Sequence, residues 1–203
     1  SSDVCSSDLL LSLTVGLLFL GGRLSSFAPL RWVAIAVIEF LRGVPSLLLI
    51  YFCFLILPPL GFKMSSYWMV TLPIGLSTAA KVAEVYRAGV LAVPKGQTEA
   101  SLSLSLSGGQ TFFYIVFPQA LRYVVPSLVS QLIIVVKDTT FGYVVTYGEL
   151  MQNAKVLVAN YNSLVPVYLI VALLYGVLNY GIARASRAMG KRVHTPESLR
   201  KRG

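Results

Sequence analysis

Long apolar runs alternate along this chain with short polar ones, and the alternation sets the element pattern. Leu9–Leu20 is the first run, LLLSLTVGLLFL, and is about 12 residues, too short to cross roughly 30 Å of hydrocarbon. It predicts the end of a truncated first spanning helix. Residues 46–60, SLLLIYFCFLILPPL, form the second, with Pro45 suited to a helix start and Pro58-Pro59 to its end. Tyr67–Val93 is apolar apart from Lys81, Glu84 and Arg87, and Tyr123–Phe141 apart from Gln131, Lys137 and Asp138. Leu164–Ile182 is the cleanest span, about 19 residues or about 29 Å at 1.5 Å per residue. Five membrane-crossing helices follow from this pattern, with residues 152–163 as an external polar loop and no internal repeat.

Two segments stand outside the apolar frame. Residues 1–8 of the prefix SSDVCSSDL carry neither a starting Met nor a basic leader, and read as non-native or disordered, such as a translated sequencing adapter. Residues 94–110, PKGQTEASLSLSLSGGQ, are polar and serine-studded. Serine and leucine alternate over 101–107, but an isolated strand would leave its edges unpaired, so a helix is favoured. Glu99, Leu102 and Leu106 then share one face, with Ser103 and Ser107 beside them. Pro94 opens that helix and Gly108-Gly109 close it.

Composition supports the bilayer as solvent. Only 12% of residues are charged and 56% are hydrophobic, against roughly 25% charged in a soluble domain. The formal net charge of +9 gathers in the basic tail, residues 191–203, and just before it. That placement suits an anionic membrane leaflet rather than nucleic acid. Setting the 94–122 loop and the C-terminus in the cytoplasm puts Arg23, Arg31, Arg42, Arg87, Lys95, Arg122 and the tail cations on that side. Lys63 and Lys155 are then outside, and Lys81 and Lys137 lie within the membrane.

Candidate chemistry is sparse. Cys5 and Cys53 give no disulfide framework and no metal site, and the lone His194 lies in the tail. No HExxH or GxSxG marks an embedded enzyme, and no GxxxxGK[ST] a phosphate loop, so neither a catalytic nor a metal site is expected. Ionisable groups inside spans survive paired or lining a watery path. Lys81 and Glu84, and Glu84 and Arg87, are spaced i, i+3 and can pair along one helix. Gln131 and Asn179 read as interhelical hydrogen-bond partners.

Four stretches carry a resemblance. Glu99-Ala100 with Ser107 and FPQALR (117–122) resembles the EAA loop of ABC-importer permeases. EFLRGVP (39–45), AEVYRAGVLAVPKGQTEA (83–100) and VVKDTTFGYVVTYGEL (135–150) resemble the polar amino acid uptake branch of that family, in order and spacing. The resemblance covers roughly residues 10–190 and implies an all-α integral membrane protein. Residues 9–190 would form a five-helix type I ABC-importer transmembrane domain, in the bacterial cytoplasmic membrane. The coupling helix at about 94–110 would dock on an ABC ATPase subunit dimer through Gly96, Gln97, Glu99, Ala100, Ser103, Ser107 and Gly108. The substrate pathway would use Lys81, Glu84, Lys137, Asp138, Thr139 and Thr140, with Asp138 and the two threonines recognising an α-amino group. Other implied partners are a second permease chain, identical or different, and an extracytoplasmic amino-acid-binding protein. No cofactor is expected on this chain, ATP and Mg being used by the partner ATPase.

The implied function is a non-enzymatic translocation subunit for polar amino acids, glutamate favoured because GYVVTYGELMQNAKVL resembles acidic amino acid permeases, with glutamine or a basic amino acid behind it. The alternative is a proton-coupled secondary carrier relaying through Glu84 and Asp138. Two departures from the family stand out. Ser105 replaces the usual glycine, which leaves Gly108-Gly109 to supply backbone freedom. Lys81 stands where an aromatic residue is commoner, which bears on substrate charge.

Overall fold

The computed structural model describes the backbone of residues 2–193 and side chains from 3 to 184. His194 and the tail beyond it lie outside the described residues. The element order is α1 (Ser2–Arg23), α2 (Ala28–Gly43), α3 (Ser46–Leu55), a 3-10 turn Pro58–Leu60, α4 (Ser66–Ala92) and α5 (Lys95–Ser103). There follow α6 (Gly108–Gln110), a π turn Thr111–Val116, α7 (Phe117–Asp138), a 3-10 segment Thr139–Val145, α8 (Leu150–Tyr161) and α9 (Leu164–Val193). No strand occurs among the described residues.

Among the described residues, three helical stretches are long and apolar enough to cross a membrane: Asp3–Arg23, Gly108–Val145 and Leu164–Arg184. A fourth is broken, α2 and α3 meeting at 97°. The break is local chemistry: Pro45 disfavours helical backbone at Val44, which is extended at φ −86°, ψ 128°. The fifth, α4, has 27 residues, about 40 Å by helical rise. Lys81, Glu84 and Arg87 and its Ser and Thr residues make it less apolar than the others.

α4 is the centre of the fold, packing against α1, α2, α3 and α7. Val4, Ile50, Val70, Ile74 and Val145 form one buried cluster, and Leu20, Val82, Tyr86 and Val124 another. Close approach to α1 relies on glycine. A Cβ on Gly75 would lie 2.5 Å from Leu11 Cδ2, which matches small-residue packing between membrane helices. Facing outward, α9 exposes Leu169, Ile170, Leu173, Leu174, Val177 and Leu178, a continuous apolar stripe suited to lipid.

Several expectations need correction. Residues 2–8 are helical and continue the first apolar helix, which runs Asp3–Arg23 instead of Leu9–Leu20. Backbone hydrogen bonding continues a helix through polar side chains, and Ser6 Oγ also donates to the Asp3 carbonyl at 3.0 Å. Asp8, wholly buried, has no hydrogen-bond partner on either carboxylate oxygen. The second run holds α3 and the 3-10 turn Pro58–Leu60, and is preceded by an unanticipated α2. The external loop at 152–163 is mostly α8, whose first turn is capped by Glu149. That carboxylate accepts from the N–H groups of Met151 and Gln152, both at 2.9 Å.

Candidate functional site

The polar segment after α4 folds as a helix, a reversal and a second helix start. α5 stops at Ser103 because Ser105 takes a left-handed conformation, φ 61°. The Ser105 N–H reaches the Leu102 carbonyl at 2.9 Å and the Leu106 N–H the Ser101 carbonyl at 3.2 Å. This is the Schellman pattern, usually completed by glycine. So Ser105 itself supplies the turn, whereas Gly108 and Gly109 have no positive φ and open α6 instead of closing α5. Leu106 therefore leaves the Glu99–Leu102 face. Ser107 becomes the N-cap of α6 in a capping box, its Oγ accepting from Gln110 N at 3.3 Å and its N–H donating to Gln110 Oε1 at 2.9 Å.

Two contacts fix this segment to the α7 stem. The hydroxyls of Ser101 and Thr111, both buried, are hydrogen-bonded at 3.0 Å. Gln119 Nε2 donates to Gln97 Oε1 at 3.2 Å and to the Ile115 carbonyl at 2.9 Å. Gly96, Gln97, Glu99, Ala100, Ser103, Ser107 and Gly108 are all exposed, as are the side chains of Leu102 and Leu104. A groove of about 400 Å³, lined in part by Leu91, Lys95, Thr98, Leu102 and Phe112, runs alongside. The segment thus presents a polar face with apolar points on a braced support.

The ionisable residues divide into two places. The first is a charged knot at one end of α1 and α4. Glu84 is its hub: Arg87 Nε donates to Oε2 at 2.9 Å and Arg23 Nε lies 3.0 Å from Oε1. Glu39 adds contacts to Arg23 at 3.9 Å and Arg42 at 3.3 Å. The expected Lys81–Glu84 pair is absent; two guanidinium groups occupy the carboxylate instead. Beside the knot, α4 and α7 bound a cleft of about 460 Å³ whose lining includes Arg42, Lys81, Glu84, Tyr123, Ser127 and Gln131. Gln131 Oε1 is buried there without a hydrogen bond, and Asn179 Oδ1 is likewise unbonded, so neither amide oxygen makes the interhelical bond expected of it.

The second place is the end of α7. Asp138 accepts from Ser46 Oγ at 3.1 Å, and Ser46 lies 3.5 Å from Ser77 Oγ. This ties α7 to α3 and α4. Thr139 donates to the Val136 carbonyl at 2.9 Å and Thr140 to that of Lys137 at 2.7 Å, so both hydroxyl protons are spent on their own helix. Lys137 is exposed. None of these four lines the cleft. From Gln131 to Asp138 is about 10 Å along α7, so the six expected pathway residues do not form one site. Sequence reading missed Ser46, Gln131, Tyr123 and Gly89 as site-building residues. The small residues Ala88, Gly89 and Ala92 on one face of α4 were the available signal.

Comparison with known proteins agrees with this architecture. Residues 12–195 match the family described as "Binding-protein-dependent transport system inner membrane component". The chain is 35% identical over 185 residues to a probable glutamine ABC transporter permease protein of Bacillus subtilis, covering 90% of this chain and 85% of that one. It is 34% identical over 188 residues to a glutamate transport system permease protein of Corynebacterium glutamicum, covering 89% and 67%. Among solved structures it superposes on an amino acid ABC transporter crystallised with histidines, with TM-score 0.89, 25% identity, and coverage of 94% and 89%. The chain belongs to the family of binding-protein-dependent transport system inner membrane components and is the permease subunit of an amino-acid ABC importer.

Proposed function

We propose that this permease couples ATP hydrolysis on a partner ATPase to import of an acidic amino acid, glutamate foremost. The observation that carries the coupling role is the bracing of α5. The seven candidate docking residues, five on α5 and Ser107 and Gly108 at the start of α6, are all exposed, yet Ser101–Thr111 and Gln97–Gln119 hold α5 to the α7 stem. Force applied to that face passes into a spanning helix instead of being lost in a loose loop. Closure of an ATPase dimer, using ATP and Mg, would draw the coupling segments of two paired permease chains together. The spans would then rock between inward-open and outward-open arrangements. A loaded extracytoplasmic binding protein would deliver substrate from the other side. This scheme places α5 and the C-terminus in the cytoplasm.

Support for glutamate is the unpaired Lys81 in the cleft and the similarity to a glutamate permease protein. Other relatives are named for glutamine, arginine and cystine. The test is uptake of labelled glutamate, glutamine and arginine into proteoliposomes holding the complete assembly. ATP-dependent uptake with glutamate preferred is expected. Uptake driven by a proton gradient without ATP contradicts the coupling, and preference for arginine contradicts the substrate.

A further inference from the structure

Within the cleft between α4 and α7, two groups on facing helices lack the partners their chemistry calls for. Lys81 has no carboxylate within 4.0 Å among the described residues. An ammonium group on a membrane-spanning helix is costly unless it is paired or meets water or a ligand. Gln131 Oε1 is buried and accepts nothing, a desolvation cost that remains until a donor arrives. Both belong to the same lining.

The charges around the cleft have a definite balance. Arg23, Arg42, Lys81 and Arg87 face only Glu39 and Glu84 within this cluster. Glu84 is already shared between Arg23 and Arg87, and Arg42 leans on Glu39. Lys81 is therefore the uncommitted cation, in a setting with a net positive excess. An arginine or lysine side chain entering here would meet repulsion with no free carboxylate to offset it. A neutral amino acid would leave its own charges balanced and the excess unanswered. An acidic amino acid brings one more carboxylate than ammonium.

We infer that Lys81 and Gln131 form a specificity subsite for an anionic amino acid, Lys81 donating to the substrate's side-chain carboxylate and Gln131 Oε1 accepting from the substrate ammonium group. This rests on the reading above that the chain carries an amino acid, and it adds where in the permease the substrate's charge is sensed. The subsite works by filling two vacant hydrogen-bonding capacities at once, so it discriminates by charge at Lys81 and holds any amino acid at Gln131.

The test is equilibrium binding of labelled glutamate, glutamine and arginine to the purified permease–ATPase complex without its binding protein. ATP-driven uptake by the complete assembly is measured alongside. Wild type is expected to bind glutamate about tenfold more tightly than glutamine, the scale of one charge-assisted hydrogen bond. Lys81→Gln should bring that ratio near one with glutamine binding little changed, and Lys81→Arg should keep it. Gln131→Leu should weaken all ligands about tenfold while preserving the ratio. Gel-filtration behaviour of each variant checks assembly, and the Lys81→Arg variant separates loss of charge from loss of fold. If wild type imports glutamate with ATP but Lys81→Gln retains the glutamate-to-glutamine ratio, the subsite is refuted and the proposed function stands. If wild type imports no glutamate, both are refuted.

Discussion

Ser101 and Thr111 share a buried hydroxyl–hydroxyl hydrogen bond of 3.0 Å, ten residues apart and on opposite sides of the reversal at Ser105. The Thr98 carbonyl, 2.7 Å from Ser101 Oγ, is an alternative acceptor for the single Ser101 proton. The pair closes residues 95–110 into one unit with the start of the α7 stem. Ser101→Ala strands the Thr111 hydroxyl in a dry site, so a loss of roughly 1–3 kcal/mol is expected. Combining it with Thr111→Val should restore much of that loss, because both polar partners are then gone. Thermal unfolding of the single and double variants in detergent measures the coupling; additive losses would show that the bond does not brace the segment.

Ser105 sits at φ 61°, a region that costs an L-residue roughly 1–2 kcal/mol and glycine almost nothing. Ser105→Gly is therefore expected to raise stability by about 1 kcal/mol, and Ser105→Val to lower it by at least as much. A melting temperature unchanged in both variants would remove the left-handed turn from the description of α5.

At Gly89, α4 packs tightly against α7. A Cβ there would lie 2.2 Å from Val124 Cγ1 and 3.0 Å from the Ala120 carbonyl oxygen. The valine methyl can move but the backbone oxygen cannot easily do so. Gly89→Ala should cost about 1–3 kcal/mol, the usual penalty of overpacking. Pairing it with Val124→Ala should recover part of it. Folded yield after membrane extraction is the readout.

Glu84 and Glu39 should behave differently although both contact Arg23. Glu84 is mostly buried and meets two guanidinium groups, whereas Glu39 is over half exposed, 55% by side-chain area. Glu84→Gln leaves two arginines facing each other and is expected to cost about 3 kcal/mol or more, as for other broken buried pairs. Glu39→Gln should cost under about 1 kcal/mol. Equal effects in a stability assay would contradict the hub role of Glu84.

Much of the architecture could be read from apolar run lengths, but the places where it could not are instructive. α4 and α9 begin within a residue of their expected starts because Tyr67–Val93 and Leu164–Ile182 are bounded by polar residues. α2 escaped notice because Arg31, Glu39 and Arg42 interrupt its hydropathy. Its buried face, Ala34 and Ile38 with Leu41 packed beside them, follows helical spacing nonetheless. Gly108-Gly109 misled because glycine signals freedom, while the residue that uses a left-handed turn is Ser105. Asp138 drew attention as an intramembrane charge, but its partner, Ser46, is 92 positions away, a pairing no local pattern encodes. The cleft was half legible: Lys81 and Glu84 stand out by charge, while Gln131 gains meaning only once α7 is laid against α4.

The central claim is that the exposed face of α5 transmits force from a nucleotide-hydrolysing partner. Cysteine placed at Ser103 or Gln97, with Cys5 and Cys53 replaced by serine, allows a crosslinking measurement in the intact membrane assembly. Capture of the ATPase subunit at both positions, altered in yield by ATP, is the expected result. Failure of either position to capture that subunit, in an assembly that still imports amino acid with ATP, would contradict it.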